Sequence, residues 1–314
     1  MPVASVDDAF RELLSRIELS PFRVALASRR FNALKTSIEG AFAGKTAHQI
    51  GSFKRGTKIR PADFSNQLDM EVLVSLGRFS RYSEPGTAGV TPAEALQIVR
   101  LAIQPNEICR VLPQQQDHPK VRVEYADQMT IELVRAFEDL RTQHYHGPSG
   151  PNCYIVGSSP DRWITADYDY DAQTILGLDA RTKGKLVPTI KLVKAYFRNA
   201  KVPLKSFHTE ILVANVLPGL ISEWKGKGYR YGYHHLLTGF LSEVSKTITS
   251  AAVLLGSFSP PVDSGLSHAT LSSLAGFLAA RAEVAGQLCN ANKIHGWTEF
   301  FGVPFPSGAS RGAF

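Results

Sequence analysis

The spacing of apolar positions divides the chain into a mixed first half and a helical second half. Two helices with polar caps open the chain, and the second of them, with a proline in its first turn, continues to about residue 43. Residues 68–76 (LDMEVLVSL) are dense in branched apolar side chains, which predicts a buried strand. Residues 121–125 and 129–137 alternate apolar and polar positions, which predicts two further strands joined by a turn.

Beyond about residue 171 the pattern becomes almost wholly helical. It predicts helices over about 184–199, 206–219, 233–254 and 268–290, in addition to one that starts at a capping box near residue 91 and ends near 103. We therefore predict an α+β fold of two lobes. The expected N-terminal lobe spans residues 1–165, with a mixed sheet and long N-terminal helices, the helical lobe spans 166–305, and 306–314 form a flexible tail.

Composition narrows the functional classes without selecting one. The 314 residues are 44% hydrophobic and 20% charged, which excludes a disordered or fibrous protein. The net charge of +7 favours polyanionic partners such as nucleotides, nucleic acid or acidic membrane. The three cysteines match no zinc spacing, so neither a structural zinc site nor a disulfide framework is expected. No signal sequence or membrane span is evident, and we expect a cytoplasmic protein without a membrane partner.

Three carboxylates within predicted strands are the strongest chemical signal. Asp69 and Glu71 lie two residues apart, so they share one face of their strand while the apolar residues between and beside them face the other way. Glu132 lies between two apolar residues in a second strand that could be adjacent. Converging carboxylates repel one another unless cations neutralise them, which predicts a site for Mg²⁺. The alternative is an edge strand whose acids face solvent.

A glycine-containing turn precedes these acids. Gly51 and Ser52 provide a flexible backbone and a hydroxyl that can cradle phosphate. Four cations follow within seven residues, Lys54, Arg55, Lys58 and Arg60, of which some are expected to contact a nucleotide and the others to form a solvated basic loop. A phosphate-binding turn beside a metal-binding acid cluster is what two-metal phosphoryl or nucleotidyl transfer requires.

The order of these motifs carries a family resemblance. Gly51-Ser52, residues 68–72 (LDMEV) and residues 131–133 (IEL) resemble the polymerase-beta-like nucleotidyltransferase superfamily. The strings GSFKRGTKIRP, KLVPTIKLVKAYFRN and SFHTEILVANVL are similar to the cGAS/DncV-like nucleotidyltransferases (CD-NTases) of bacterial CBASS anti-phage systems. The resemblance covers about residues 45–220, and it implies a bilobed nucleotidyltransferase fold with the active site in the cleft between the lobes.

The resemblance also implies an activity and roles for residues. The expected reaction is two-metal synthesis of a cyclic di- or trinucleotide second messenger from NTPs, with ATP, GTP or other NTPs as substrates. Asp69, Glu71 and Glu132 are the expected catalytic residues and ligands of two Mg²⁺ ions, and Gly51, Ser52, Lys58, Lys194 and Ser206 are the expected nucleotide-binding residues. Two of these have simpler alternatives, since Lys194 could lie on a helix surface and Ser206 could be a helix cap.

The acids depart from the family pattern in one respect. Aspartate is the commoner residue at the second and third acidic positions, where this chain has Glu71 and Glu132. The extra methylene moves each carboxylate outward by about 1.5 Å. Because Mg²⁺ demands near-ideal octahedral ligation, we hypothesise that Mn²⁺ supports activity as well as or better than Mg²⁺.

The resemblance suggests partners, and other functions remain open. An effector protein that senses the cyclic product is expected, as is control by a regulatory protein or a nucleic-acid activator. One alternative is a nucleotidyltransferase that acts on RNA, tRNA or a small-molecule acceptor. Another is a non-catalytic nucleic-acid sensor of the same fold.

The remaining polar clusters are interpreted as structural. Glu210 is expected to be structural and not catalytic, and the aromatic residues from 229 to 235 are expected to open a helix. The alternating acids Asp167, Asp169 and Asp171 are expected to form a solvated loop, with an additional cation site as the alternative.

Overall fold

The protein has the predicted α+β architecture. The computed structural model describes residues 3–41, 46–61, 68–78, 90–103, 109–113, 120–139, 153–159, 162–250, 252–262 and 265–306. Residues 307–314, which make up most of the predicted tail, lie outside the described residues. None of the described helices combines the length and apolar content that crossing a membrane requires.

The first half of the chain contains a seven-stranded mixed sheet with flanking helices. Its elements are α1 (Val6–Ile17), α2 (Pro21–Ala41), β1 (Thr46–Ile50), α3 (Gly51–Lys54), β2 (Asp69–Arg78), α4 (Pro92–Ile103), β3 (Arg110–Val111), β4 (Val121–Glu124), β5 (Thr130–Glu138), β6 (Tyr154–Gly157) and β7 (Trp163–Ala166). The main strand order is β1-β2-β5-β4-β3, and β6 joins β5 to β7. Strands β2 and β5 are parallel, whereas the other pairs are antiparallel.

Alternation along β2 and β5 determines which side of the sheet carries the core and which carries the acids. Met70 and Val72 pack with Ile131 and Leu133 beneath helices α2 and α4, in a cluster of buried apolar side chains. The intervening positions of both strands face the opposite side of the sheet. The predicted alternation is therefore confirmed.

The second half of the chain is helical, as predicted. Its helices are α5 (Tyr168–Arg181), α6 (Leu186–Asn199), α7 (Ser206–Gly226), α8 (Tyr233–Thr247), α9 (His268–Asn290) and α10 (Thr298–Phe301), the last preceded by a 3₁₀ turn at His295–Trp297. Helix α1 contributes to this helical core, because the Phe10 ring lies 4.9 Å from that of Trp297 and 5.5 Å from that of Phe301. The division at residues 165 and 166 stays a prediction.

Two helices differ in length from their predictions. The helix predicted to end near residue 219 continues through Pro218 to Gly226, and Leu220 and Ile221 extend its buried stripe beyond the proline. Helix α8 ends at Thr247 instead of 254. The apolar residues after it do not all face the core, since Leu255 is 89% exposed.

Two segments expected to be loops are ordered elements. The glycine and basic residues between His48 and Arg60 predict a loop, but residues 46–50 form β1, which pairs with β2, and Gly51–Lys54 form α3. The acidic segment DYDYD opens helix α5, and Asp167 and Asp171 are buried, so the solvated-loop interpretation is wrong for them. Their burial follows from a distant loop: Asp167 accepts a hydrogen bond from the Phe258 N–H, and Asp171 accepts one from the Ser259 hydroxyl.

Candidate active site

The three predicted acids converge on one face of the sheet. Glu71 of β2 lies directly opposite Glu132 of β5, and Asp69 lies opposite Thr130, in the parallel register of the two strands. The Thr130 hydroxyl donates to the Asp69 carboxylate at 2.6 Å and so orients it. Because parallel strands keep residues of equal register on the same face, neighbouring strands bring all three carboxylates together.

Gly51 allows the turn before the acids to approach them. Its φ of +70° lies in the left-handed region that favours glycine. A Cβ atom at this position would collide with an oxygen of the Glu71 carboxylate. Strand β1 ends at Ile50 and α3 starts at Gly51, so the sequence Gly51-Ser52 places a helix start directly against an acid of the site.

Lys120 lies between two of the acids and was not identified from the sequence. Its ammonium group is 2.6 Å from a carboxylate oxygen of Glu71 and 2.6 Å from one of Glu132. Burial alone would raise the pKa of Glu71, but Lys120, with help from Arg55 and Lys58, lowers it below the usual value. For Lys120, the two carboxylates outweigh burial and raise the pKa of the ammonium group. Both groups are therefore charged at neutral pH.

The acids open onto a cleft between the sheet and the helices. The cleft has a volume of about 580 Å³, and its lining includes seven predicted site residues: Ser52, Lys58, Asp69, Glu71, Glu132, Lys194 and Ser206. Gly51 is buried beneath the turn that carries Ser52. Phe197, Val202 and Leu204 give the helical side of the cleft an apolar wall. The structure thus brings the predicted residues into one space.

Lys194 is buried and bound to the opposite side of the cleft. Its ammonium group donates to the Thr57 carbonyl at 3.1 Å and to the Glu210 carboxylate at 2.6 Å. The Arg55 guanidinium also donates to Glu210, at 2.6 and 3.2 Å. Because Arg55 and Thr57 follow α3 whereas Lys194 and Glu210 belong to α6 and α7, this cluster connects the two sides of the cleft.

Burial and charge determine the protonation of this cluster. Burial would raise the pKa of Glu210, but Arg55 and Lys194 outweigh it and lower that pKa. For Lys194, burial dominates and lowers the pKa of the ammonium group despite the attraction of Glu210. Glu210 is fully buried, which agrees with its expected structural role, and Lys194 does not lie on a helix surface.

The four cations of the glycine-containing turn have different surroundings. Lys58 lines the cleft, and burial lowers its pKa although all three acids attract its charge. Lys54 forms an ion pair with Asp169, and Arg55 pairs with Glu210. The Arg60 carbonyl accepts a hydrogen bond from Arg198 at 2.6 Å. Of these four cations, Lys58 is therefore the one that lines the cleft together with the acids.

Ser206 is the first residue of α7, where the preceding Lys205 occupies the cap position. The helix-cap alternative for its hydroxyl is thus wrong, and the exposed side chain lies on the lining of the cleft. The backbone N–H groups at the start of a helix carry partial positive charge and bind phosphate oxygens well. Helix α7 has 21 residues, so a fully developed helix terminus faces the cleft.

The donor set at the acids fits a hard divalent cation. The site offers carboxylate oxygens, which Mg²⁺ and Mn²⁺ prefer over nitrogen or sulfur. The Lys120 ammonium group already acts as a stand-in, since it contacts Glu71 and Glu132 at equal distances of 2.6 Å. These residues can therefore share a cation, and Asp69 lies two residues from Glu71 on the same face of β2.

The mixed sheet with its helical half, the three convergent acids and the Gly51-Ser52 turn beside them form the arrangement expected of a nucleotidyltransferase. The profile of the Second Messenger Oligonucleotide or Dinucleotide Synthetase domain matches residues 4–166. The chain belongs to this family, and within it to the cGAS/DncV-like nucleotidyltransferases. It is an enzyme that synthesises cyclic oligonucleotide second messengers.

Several known proteins are similar to this chain in sequence or in fold. A probable cyclic nucleotide synthase of Bacillus cereus (strain VD146) is 24% identical, with 89% of this chain and 88% of that protein covered. The structure of E. coli MS115-1 CdnC with ATP is similar with a TM-score of 0.69 at 15% identity, covering 97% of this chain and 99% of that one. The same CdnC in its complex with HORMA-deltaN gives a TM-score of 0.66 at 15% identity, and the match covers 95% of this chain and 96% of that one. Bradyrhizobium diazoefficiens CdnG with GTP gives a TM-score of 0.68 at 13% identity, covering 95% of each chain.

Proposed function

We propose that this enzyme makes a cyclic di- or trinucleotide from NTPs as part of anti-phage defence, with catalysis at Asp69, Glu71 and Glu132. The observation that carries the proposal is the convergence of these carboxylates at a cleft of about 580 Å³ whose lining also includes Ser52, Lys194 and Ser206. In the reaction, a hydroxyl of one nucleotide attacks the α-phosphorus of another and pyrophosphate leaves. A second attack of the same kind closes the ring in a dinucleotide.

The acids would hold two divalent cations. When bound, the cations supply activation of the attacking hydroxyl and neutralisation of the charge on the leaving pyrophosphate. Asp69 is oriented by the Thr130 hydroxyl, and Glu71 accepts a hydrogen bond from Lys120, so both carboxylates have protein partners that orient them. Such preorganisation lowers the cost of assembling the reacting groups.

The triphosphate would bind between Ser52 and the start of α7. Ser52 lies in the turn next to the acids, and Ser206 lies across the cleft at a helix terminus suited to phosphate. Lys58 and Lys194 line the space between and supply positive charge. Because Ser206 is exposed, Ser206→Ala should leave the thermal stability unchanged while raising KM for NTP several-fold; an unchanged KM would contradict this role.

Mg²⁺ is the expected ion, and Mn²⁺ should serve as well or better. The two glutamates have longer side chains than the aspartates common in the family, and Mn²⁺ tolerates irregular ligation better than Mg²⁺. Product formation measured with each ion across a range of concentrations tests this expectation. A strong preference for Mg²⁺ would contradict it.

Partners follow from the proposed product. A cyclic nucleotide needs an effector protein that senses it, and a regulatory protein or nucleic acid could control synthesis. The E. coli MS115-1 CdnC complex with HORMA-deltaN supports the expectation of a protein regulator. A cytoplasmic location is proposed because NTPs are produced there.

Pyrophosphate release tests the proposed catalytic residues directly. Purified Asp69→Asn should fold like the wild type, because Asn can still accept the Thr130 hydrogen bond, and should lose pyrophosphate release from NTPs. Glu243→Gln serves as a control on an exposed face of α8 and should retain full activity. Pyrophosphate release by Asp69→Asn at the wild-type rate would exclude this site.

A further inference from the structure

Two histidines and a cysteine meet in the helical lobe outside the catalytic cleft. His234 and His235 are the second and third residues of α8, and Cys289 is the penultimate residue of α9. One ligand atom from each of the three side chains lies within 4.8 Å of the others. None of them is among the residues that line the cleft of the acids.

A ring nitrogen of His234 is buried and lacks a hydrogen-bond partner among the described residues. The residue is 9% exposed, and within the described part of the chain its Nδ1 atom has no hydrogen-bond partner. Buried polar atoms without a partner are rare in folded proteins, and each one calls for an explanation such as an ion that occupies the site. An imidazole nitrogen beside a thiol is a good ligand for a transition metal.

The two imidazole rings lie side by side at the start of α8, with their centroids 3.9 Å apart. Nδ1 of His235 accepts a hydrogen bond from the Gly232 N–H at 3.1 Å, which caps α8. Coordination through either nitrogen of this ring would replace that cap by the metal bond.

Cys289 supplies the sulfur ligand. It is a free, half-buried cysteine, and burial raises the pKa of its thiol. The Thr238 hydroxyl donates to the His234 carbonyl at 2.9 Å and lies 3.3 Å from the sulfur. On metal binding the thiol proton would leave to solvent, and the Thr238 hydroxyl would turn from the carbonyl to donate to the thiolate. Hydrogen bonds of this kind around a metal site orient its ligands.

Asp7 provides negative charge next to the histidines. Its carboxylate accepts a hydrogen bond from the Tyr233 N–H at 3.3 Å. Gly232 permits this approach, because a Cβ there would collide with the Asp7 carboxylate and lie 2.9 Å from Cε1 of His234. The charge of this carboxylate would partly compensate that of a bound cation.

We propose that His234, His235 and Cys289 form a Zn²⁺ site that joins the start of α8 to the end of α9. A thiolate with two imidazoles selects Zn²⁺ over Mg²⁺, whereas the acids of the cleft have the opposite preference. Three protein ligands leave a fourth tetrahedral position for water or an added ligand. The cysteine spacing does not predict this site, because Cys289 lies more than fifty positions after the two histidines in the sequence.

Cobalt absorption tests the proposal with a readout independent of catalysis. The full chain, freed of metal with a chelator, is titrated with Co²⁺ alone, and sulfur ligation gives a near-ultraviolet charge-transfer band. The wild type should develop this band with one equivalent of Co²⁺, and Zn²⁺ should abolish it. Absence of the band in the wild type would overturn the proposal.

Matched variants identify the sulfur and separate the two metal sites. Cys289→Ser should lose the band. Two controls should retain it: Cys109→Ser, which changes another half-buried free cysteine, and Asp69→Asn, which changes an acid of the cleft. Persistence of the band in Cys289→Ser would overturn the assignment.

His235→Gln provides a second variant should Cys289→Ser fold poorly, and it should weaken Co²⁺ binding at least tenfold. Zn²⁺ should raise Tm of the wild type and of Cys109→Ser, but not of Cys289→Ser; an equal rise in all three would contradict the site.

Discussion

Glu71 lies directly opposite Glu132 on the parallel strands β2 and β5, and the two carboxylates share the ammonium group of Lys120. Two acids at equal register on adjacent parallel strands would repel each other without a counter-charge. The register of the two strands therefore creates a site that requires a cation. Lys120 of the same chain supplies such a counter-charge to both carboxylates.

Lys120→Met should strengthen divalent-ion binding in the absence of nucleotide. The variant removes a competing cation from 2.6 Å of both carboxylates, and charge-assisted hydrogen bonds of this kind correspond to about tenfold or more in affinity. Electron paramagnetic resonance titration with Mn²⁺ measures the change directly. Lys191→Met, which breaks an ion pair with Glu18 instead, should leave the affinity unchanged. Equal Mn²⁺ affinity in Lys120→Met and the wild type would show that Lys120 does not compete.

Gly51→Ala should abolish activity through a collision with Glu71, and Gly56→Ala is its matched control. Both glycines have positive φ, +70° and +67°, so either substitution should cost about 1 kcal/mol of stability. A Cβ at Gly56 meets no atom within 4 Å, whereas one at Gly51 strikes the carboxylate. Denaturant unfolding and product formation, measured together, should show similar stability losses but lost activity in Gly51→Ala alone. Similar activities in the two variants would contradict this role of Gly51.

Glu210→Gln should destabilise the fold by about 3 kcal/mol, because it leaves the buried cations Arg55 and Lys194 without their counter-charge. Urea unfolding at neutral pH measures the loss. Glu223→Gln removes an exposed partner of Lys227 and should have a much smaller effect. Comparable losses in the two variants would show that the Glu210 cluster does not hold the two sides of the cleft together.

Asp171→Asn should stabilise the protein above pH 6 by about 2 to 3 kcal/mol. Burial raises the pKa of Asp171 from 3.8 to about 6, so between these values the folded protein holds a proton that the unfolded chain has released. Stability contributed by this proton is therefore lost as the pH rises through that range. Urea unfolding at pH 4 and at pH 7.5 should show a gain in the variant only at the higher pH. A gain independent of pH would contradict the shift.

Local patterns predicted the parts of the fold that depend on residues close in sequence. Alternation identified β2 and β5 and placed Asp69 and Glu71 on one face, because side-chain direction in a strand has a period of two. The same reasoning could not place Lys120, whose contact with Glu71 depends on the pairing of β4 with β5 and of β5 with β2. This strand pairing joins residues that are distant in the chain, so the local sequence does not predict it.

Burial imposed by distant segments accounts for the wrong interpretations. Asp167 and Asp171 look solvated in the segment DYDYD, yet residues 257–259 cover them from about ninety positions further along the chain. The sequence likewise left open whether Lys194 binds phosphate or lies on a helix surface. Its burial depends on contacts with distant residues such as Thr57. The composition of a segment predicts its own conformation better than it predicts what packs over it.

The most direct test of the central claim is the product made from NTPs. Wild type and Glu132→Gln are incubated with all four NTPs and Mg²⁺ or Mn²⁺, treated with phosphatase, and their products identified by mass spectrometry. The account predicts phosphatase-resistant cyclic nucleotides from the wild type and none from Glu132→Gln. The same cyclic products from the variant, or transfer of nucleotide to added RNA without any cyclic product from the wild type, would contradict it.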